Sequence, residues 1–164
     1  ARAESDLASA DHDAQADCTT LVGSSTYHGT AVRFATAANT FYGWNWAFST
    51  TNNFILDKVV AGVRTELGRV GTVPDPGAGP NLTKTQINGS TLKGFLSGAE
   101  KLSLTDTAIT GGTRTGLYSI QTIGANRARW DNFQAADLAG GVVGPLLGGR
   151  LVKHGILQGR LVRA

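Results

Sequence analysis

The side chains able to do chemistry in this sequence are few and scattered. Glu4, Glu66 and Glu100 are the only glutamates, and they fall in three different segments. Glycoside hydrolysis needs two carboxyl groups flanking one bond, a nucleophile or base and an acid; no such retaining pair is visible. Asp11-His12-Asp13 is the one cluster with metal-ligand side chains. On a strand its two aspartates share a face and His12 points away, poor geometry for a single ion, so a polar turn is expected there. His28 and His154 stand alone, and no Ser-His-Asp or Cys-His set can be assembled. Cys18 is the only cysteine; inside the strand-like run Asp17-Cys18-Thr19-Thr20-Leu21-Val22 it reads as a small buried side chain. The densest feature is aromatic: Phe41, Tyr42, Trp44, Trp46 and Phe48. On a strand Tyr42, Trp44, Trp46 and Phe48 line one face and Phe41 the other. Tyr42, Trp44 and Trp46 are candidate glycan-binding residues, because indole and phenol faces stack on sugar rings. Ordinary core packing is the competing reading, and solvent exposure of Trp44 and Trp46 separates the two.

These groups must be positioned by strands. Alternation of apolar and polar residues marks segments within 2–22, over Gly29 to Ala35, Thr40 to Phe48, Asn53 to Ala61 and Val63 to Val70. It continues over Asn81 to Ile87, Thr91 to Leu96, Lys101 to Leu104, Thr115 to Ile120 and Ala128 to Phe133. Punctuation falls between them: Ala37-Ala38-Asn39, Gly62, Asn88-Gly89, Ser97-Gly98 and Thr110-Gly111-Gly112. Asn-Gly is a strong hairpin signal, read here as a type I′ turn with both central residues at positive φ. Three of the four prolines lie in Gly71 to Pro80, a rigid loop. About ten short strands without a convincing helix specify an antiparallel sandwich.

The 164 residues suffice for one two-layer core. No apolar run is long enough to cross a bilayer as a helix, so membrane insertion is not expected. The chain starts at Ala1 and contains no methionine, which suggests a processed product or part of a longer polypeptide. Its net charge of +3 sits in the tail: residues 140–164 hold Arg150, Lys153, Arg160 and Arg163 and no acid. Four spaced charges without a reading element give no expectation of nucleic-acid binding. The same segment repeats Gly149-Arg150-Leu151-Val152 as Gly159-Arg160-Leu161-Val162. Leu146, Leu147, Leu151, Val152, Ile156, Leu157, Leu161 and Val162 would form an apolar strip that soluble monomers seldom expose, so they are candidate assembly-interface residues.

Ile87-Asn88-Gly89-Ser90-Thr91-Leu92-Lys93, Asp106-Thr107-Ala108-Ile109-Thr110-Gly111-Gly112, Gly116-Leu117-Tyr118 and Trp130-Asp131-Asn132-Phe133 resemble the closing half of concanavalin-like, laminin-G-like jelly rolls. Such domains occur in phage fibre, tail and head-decoration proteins and in bacterial surface proteins. The resemblance implies an all-β, antiparallel two-sheet jelly-roll sandwich over residues 1–138, lacking its opening strands. In the family the strand carrying Asp131-Asn132-Phe133 lies beside the first strand. Residues 139–145 are then a linker and 146–164 a Gly-rich assembly tail. Laminarinase-type hydrolases of this fold carry Glu-x-Asp-x-x-Glu on one strand, and this sequence has no such run. The resemblance permits calcium, with Asp131 and Asn132 as candidate ligands; no cofactor is otherwise expected. It points to a non-enzymatic structural or adhesive protein on a virion surface or otherwise extracellular. Its partners would be copies of itself (trimers by analogy), other virion proteins or host-surface glycans. The alternative is a carbohydrate-binding module of a secreted or bacterial surface protein.

Overall fold

The computed structural model describes residues 2–19, 26–48, 53–71, 80–121 and 129–138. The linker and the assembly segment at 146–164 lie outside the described residues, as does most of the proline loop. The described chain forms eleven strands and one short 3-10 turn at Thr36–Ala38. The strands are β1 (Arg2–Asp6), β2 (His12–Thr19), β3 (Thr26–Ala35), β4 (Thr40–Phe48), β5 (Asn53–Val60) and β6 (Val63–Val70), then β7 (Asn81–Asn88), β8 (Thr91–Leu96), β9 (Ala99–Thr105), β10 (Arg114–Gln121) and β11 (Arg129–Asp137). They build a six-stranded sheet in the order β1-β10-β3-β4-β5-β6 and a five-stranded sheet in the order β11-β2-β7-β8-β9. Every pairing is antiparallel. The strand with Asp131-Asn132-Phe133 is β11, and it pairs with β2; β1 instead closes the other sheet beside β10.

Turn chemistry explains the tight hairpins, with one correction. Ala61-Gly62 and Ser97-Gly98 have positive φ at both central positions (51° and 83°, 50° and 82°), the type I′ signature. At the Asn-Gly signal only Gly89 is left-handed (φ 57°). Asn88 ends β7 opposite Thr91, so Gly89-Ser90 is the two-residue loop. That turn therefore has type II′ character, with glycine at its first central position.

The core lies between the sheets and is organised by β4. Tyr42, Trp44 and Trp46 point inward and are completely buried, joined by Val32, Phe54 and Leu56 from their own sheet. Ala14, Ile87, Leu92 and Leu96 meet them from the other sheet. Trp44 and Trp46 both stack on Phe54, with ring centroids at 5.2 and 5.6 Å. The glycan-platform expectation for Tyr42, Trp44 and Trp46 is thereby corrected: no ring among them presents a face to a sugar. Large amphipathic rings gain more from burial between two sheets than from exposure. Trp44 reaches across to Gly94 of β8, where a β-carbon would lie 2.3 Å from the indole. Its Nε1–H donates to the Phe95 carbonyl at 3.0 Å. Thr30 and Thr85 add a buried hydroxyl contact between the sheets at 2.7 Å.

One end of the sandwich is held by Arg33, a buried residue at φ 50° on a bulge of β3. Its Nε–H donates to the Ala10 carbonyl (2.9 Å) and its Nη1 to the Ile109 carbonyl (2.7 Å). Its Nη2 donates to Asp11 Oδ1 (2.9 Å) and to the Gly89 carbonyl (2.6 Å). The backbone N–H of Arg33 donates to His12 Nε2 at 3.0 Å, so His12 carries its proton on Nδ1 and donates it to the Ser9 carbonyl. Burial holds His12 below the usual histidine pKa, neutral in this role.

Because nothing but a hydrogen fits where Gly94 faces Trp44, Gly94→Ala is expected to lower unfolding free energy by about 1–3 kcal/mol. Gly111→Ala, at a site with open space around it, is expected to change it by less than about 0.5 kcal/mol. Urea titration of both variants against the parent checks the pair.

Candidate functional site

The strand that pins the core also presents a second face. With Tyr42, Trp44 and Trp46 inward, the alternate residues Phe41, Gly43 and Asn45 point away from the five-stranded sheet. The register extends this outward face across the sheet. Tyr118, Gly29, Asn45, Ile55 and Arg69 form one cross-strand row; Gly116, Ala31, Gly43, Asp57 and Glu66 form the next. Three glycines and an alanine leave the middle of these rows without bulky side chains. The Tyr118 ring lies over Gly43, whose β-carbon would come within 3.1 Å of it. Phe34, Phe41, Val59, Ala31 and Tyr118 make a second apolar cluster at one side, with Phe41 edge-on to Tyr118 at 4.9 Å.

Polar groups converge beside this cluster. Asp57, fully buried, accepts through Oδ2 from Asn45 Nδ2 at 2.6 Å and from Arg64 Nε at 2.7 Å. The Arg64 guanidinium lies 4.4 Å from the centre of the Tyr27 ring, a cation–π contact. Tyr27 and Arg64 are half-buried, and Asn45, Asp57 and Tyr118 are buried. Among the described residues, Asn45 Oδ1, Asp57 Oδ1, Arg64 Nη2 and the Tyr118 hydroxyl are buried without a hydrogen-bond partner. Buried polar atoms are nearly always paired, so these atoms are places where ordered water or a ligand would bond. The set contains acceptors (Asn45, Asp57), a donor (Arg64) and a hydroxyl that can do either.

The electrostatics follow from this half-satisfied state. Burial pushes the Asp57 carboxyl up to about 6, against the opposing pull of Arg64. Burial works against the Arg64 charge, but its bond to Asp57 carries the guanidinium above its ordinary value. Burial and the Asp57 charge raise the Tyr118 phenol, against the opposing pull of the Arg64 side chain beside it. Glu66, directly across from Asp57, is held below the usual range by Arg69, which takes both its oxygens in a bidentate pair. Asp57 and Glu66 are thus a facing carboxyl pair that no search along one strand could find. One of them is protonated far more readily than the other, the pattern of an acid–base pair. Asp57 is sealed from solvent under Arg64, and the Glu66 carboxylate is fully engaged.

Other residues weighed in the sequence have structural partners. Asp11 belongs to the Arg33 network, while Asp13 pairs with Lys84 at 2.9 Å; His12 lies between them, inward. Asn132 donates to Asp17 Oδ2 at 2.7 Å, and Asp131 accepts from the Asn132 backbone N–H. Both are exposed, on β11. Among the described residues no group of three or more His, Cys, Asp or Glu side chains is arranged to hold a metal ion. Cys18 is buried. Sequence reasoning missed Asn45, Asp57 and Arg64. The available signal was the alternation on β4 itself, since an inward aromatic stripe forces its odd-numbered neighbours outward.

Solved structures share this architecture. The chain is similar to the carbohydrate-binding module CBM66 from Bacillus subtilis, with 17% identity and a TM-score of 0.61 over 76% of this chain and 74% of that one. It is similar to sheep galectin-11 in complex with glycerol (6% identity, TM-score 0.60, covering 82% and 96%). It also resembles the Bacillus licheniformis beta-glucanase (9% identity, TM-score 0.55, covering 84% and 69%). The fold is therefore the concanavalin-like jelly-roll sandwich that the sequence motifs implied. No protein-family model and no curated protein sequence matches the chain.

The raised pKa of Asp57 has a signed consequence. The native state binds this proton more tightly than the unfolded chain, so Asp57 favours folding below its unfolded pKa of 3.8. That contribution is lost as pH rises through about 6, to a total of up to about 3 kcal/mol. Between pH 4 and 7 the parent should lose stability relative to Asp57→Asn. Thermal unfolding of both proteins across that range measures the difference, and a parent that gains on Asp57→Asn would reverse the assignment.

Proposed function

We propose that this chain is a non-catalytic carbohydrate-binding module of an extracellular or surface-exposed protein, with its sugar site on the outward face of the six-stranded sheet. The observation that carries the reading is the group of orphaned polar atoms on Asn45, Asp57, Arg64 and Tyr118. A sugar offers hydroxyls that both donate and accept, which is what a mixed set of unpaired donors and acceptors requires. To reach them a sugar has to displace the Arg64 side chain, under which Asp57 is buried. The similarity to a module whose name denotes carbohydrate binding supports the same reading. Binding rather than turnover is favoured because both facing carboxyl groups are held by arginines.

The test is a glycan array probed with the whole chain, followed by titration of the best hits. Arg64→Ala should weaken binding by about tenfold or more, the scale of one charge-assisted hydrogen bond, and should also lower the melting temperature, because it strips the buried Asp57 carboxylate of its cation; binding is therefore measured well below the transition. Absence of any glycan signal, or full affinity in Arg64→Ala, would defeat the proposal. Release of reducing sugar that Glu66→Gln abolishes would replace a binding module with an enzyme.

The tail sequence favours a compatible, finer role. Under this reading the module is a structural or adhesive component of a virion. Its residues 146–164 bury their leucines and valines against further copies or a carrier protein. A chain ending at Pro145 should then fold and bind sugar yet fail to enter the particle. Normal incorporation of the shortened chain would remove this role.

A further inference from the structure

A cavity lies at the end of the sandwich, apart from the sheet face. It measures about 470 Å³ and is lined by Ser9 and Asp11 from the β1–β2 loop, Ser90 from the β7–β8 turn, and Asp106, Thr107 and Thr110 from the β9–β10 loop. That size lies within the range of small-ligand sites. Its lining combines apolar surface with the hydroxyl groups of Ser9, Ser90, Thr107 and Thr110, two carboxylates and Arg33, and none of its described residues is aromatic.

The loops around it are tied down before any ligand arrives. Arg33 binds all three, through Ala10 and Asp11, Gly89 and Ile109. Asp11 Oδ1 also accepts from the Gly89 N–H at 2.9 Å. Asp106 accepts from the Tyr42 hydroxyl at 2.6 Å, from Lys58 at 2.9 Å and from the Ala108 N–H at 2.8 Å. The Tyr42 oxygen in turn accepts from the Ile109 N–H at 2.9 Å. Such cross-linking removes the ordering entropy that loop sites ordinarily spend on binding. The charges also balance: Asp11 is offset by Arg33 and Asp106 by Lys58. A neutral ligand therefore suits the cavity better than an anion or a cation. Specificity would come from hydroxyl-to-hydroxyl and hydroxyl-to-carboxylate hydrogen bonds rather than from ring stacking.

From this geometry we infer that the end cavity is a second binding site, for the terminal unit of a neutral sugar, independent of the sheet-face site. Asp11 is its principal acceptor, since Oδ1 serves the loop network and Oδ2 is left for the ligand. Ser90, Thr107 and Thr110 contact the remaining hydroxyls.

The experiment is backbone-amide NMR of the whole chain, titrated with methyl glycosides of neutral hexoses and, for comparison, with glucuronate and glucosamine. Neutral glycosides should shift the amides of Ser9, Gly89, Ser90, Thr107 and Thr110, and these shifts should persist in Arg64→Ala. Asp11→Asn keeps an acceptor for Arg33 and Gly89 but puts a donor in place of Oδ2; it should weaken the effect about tenfold. Thr107→Trp, at an exposed loop position, should abolish it by filling the cavity without touching the Arg33 network. No shifts at these amides, unchanged affinity in Thr107→Trp, or glucuronate binding as tightly as the neutral glycosides would each overturn the inference. Loss of sheet-face binding in Arg64→Ala with the loop shifts intact separates this site from the proposed function.

Discussion

The close approach of Trp44 to Gly94 is the constraint from which most of this structure follows. An indole pressed against a backbone with no side chain sets how near the two sheets can come. Its hydrogen bond to the Phe95 carbonyl sets where along β8 it sits. Once Trp44 is inward, strand periodicity leaves Tyr42 and Trp46 no choice but to follow, and Gly43 and Asn45 none but to face out. The core and the candidate sugar face are thus two consequences of one packing event.

Tyr42 shows how core and periphery are coupled. Its ring is buried, yet its hydroxyl reaches the end of the sandwich, donating to Asp106 and accepting from Ile109. Burial with two hydrogen bonds satisfies a group that would otherwise be costly in the interior. Arg33 does the same on a larger scale: its buried guanidinium is offset by Asp11 and saturated by backbone carbonyls from three loops. A charge buried this way is tolerated because its donors are matched, and the matching holds the end loops in register.

The outward face is the opposite case. Asp57 has one oxygen fully engaged and the other unpaired, with Asn45, Arg64 and Tyr118 left in the same half-satisfied condition. Satisfied networks fix loops in place, and incomplete ones leave polar atoms to be paired. That contrast, within one small domain, gives the Arg33 end a pre-ordered rim around its cavity and the Asp57 face its unpaired polar atoms.

Much of the architecture was legible in the residues. Alternation located nearly every strand, and β4, β6 and β8 begin and end where it placed them. Gly62 and Ser97-Gly98 marked turns between antiparallel neighbours, the Asn88-Gly89 signal lay one residue ahead of the actual Gly89-Ser90 loop, and the short motifs pointed to the concanavalin-like sandwich. The sequence also isolated β4 as the decisive strand. It could not say which face of β4 would be covered, because periodicity assigns residues to two sides without saying which side meets another sheet. Nor could it bring Asp57 to Arg64 and Glu66, or Asp11 to Arg33, since those meetings depend on strand register, a bulge and a left-handed residue. Local pattern determined the strands; only the packing of one sheet on the other decided which polar groups were sealed, which were matched and which were left wanting.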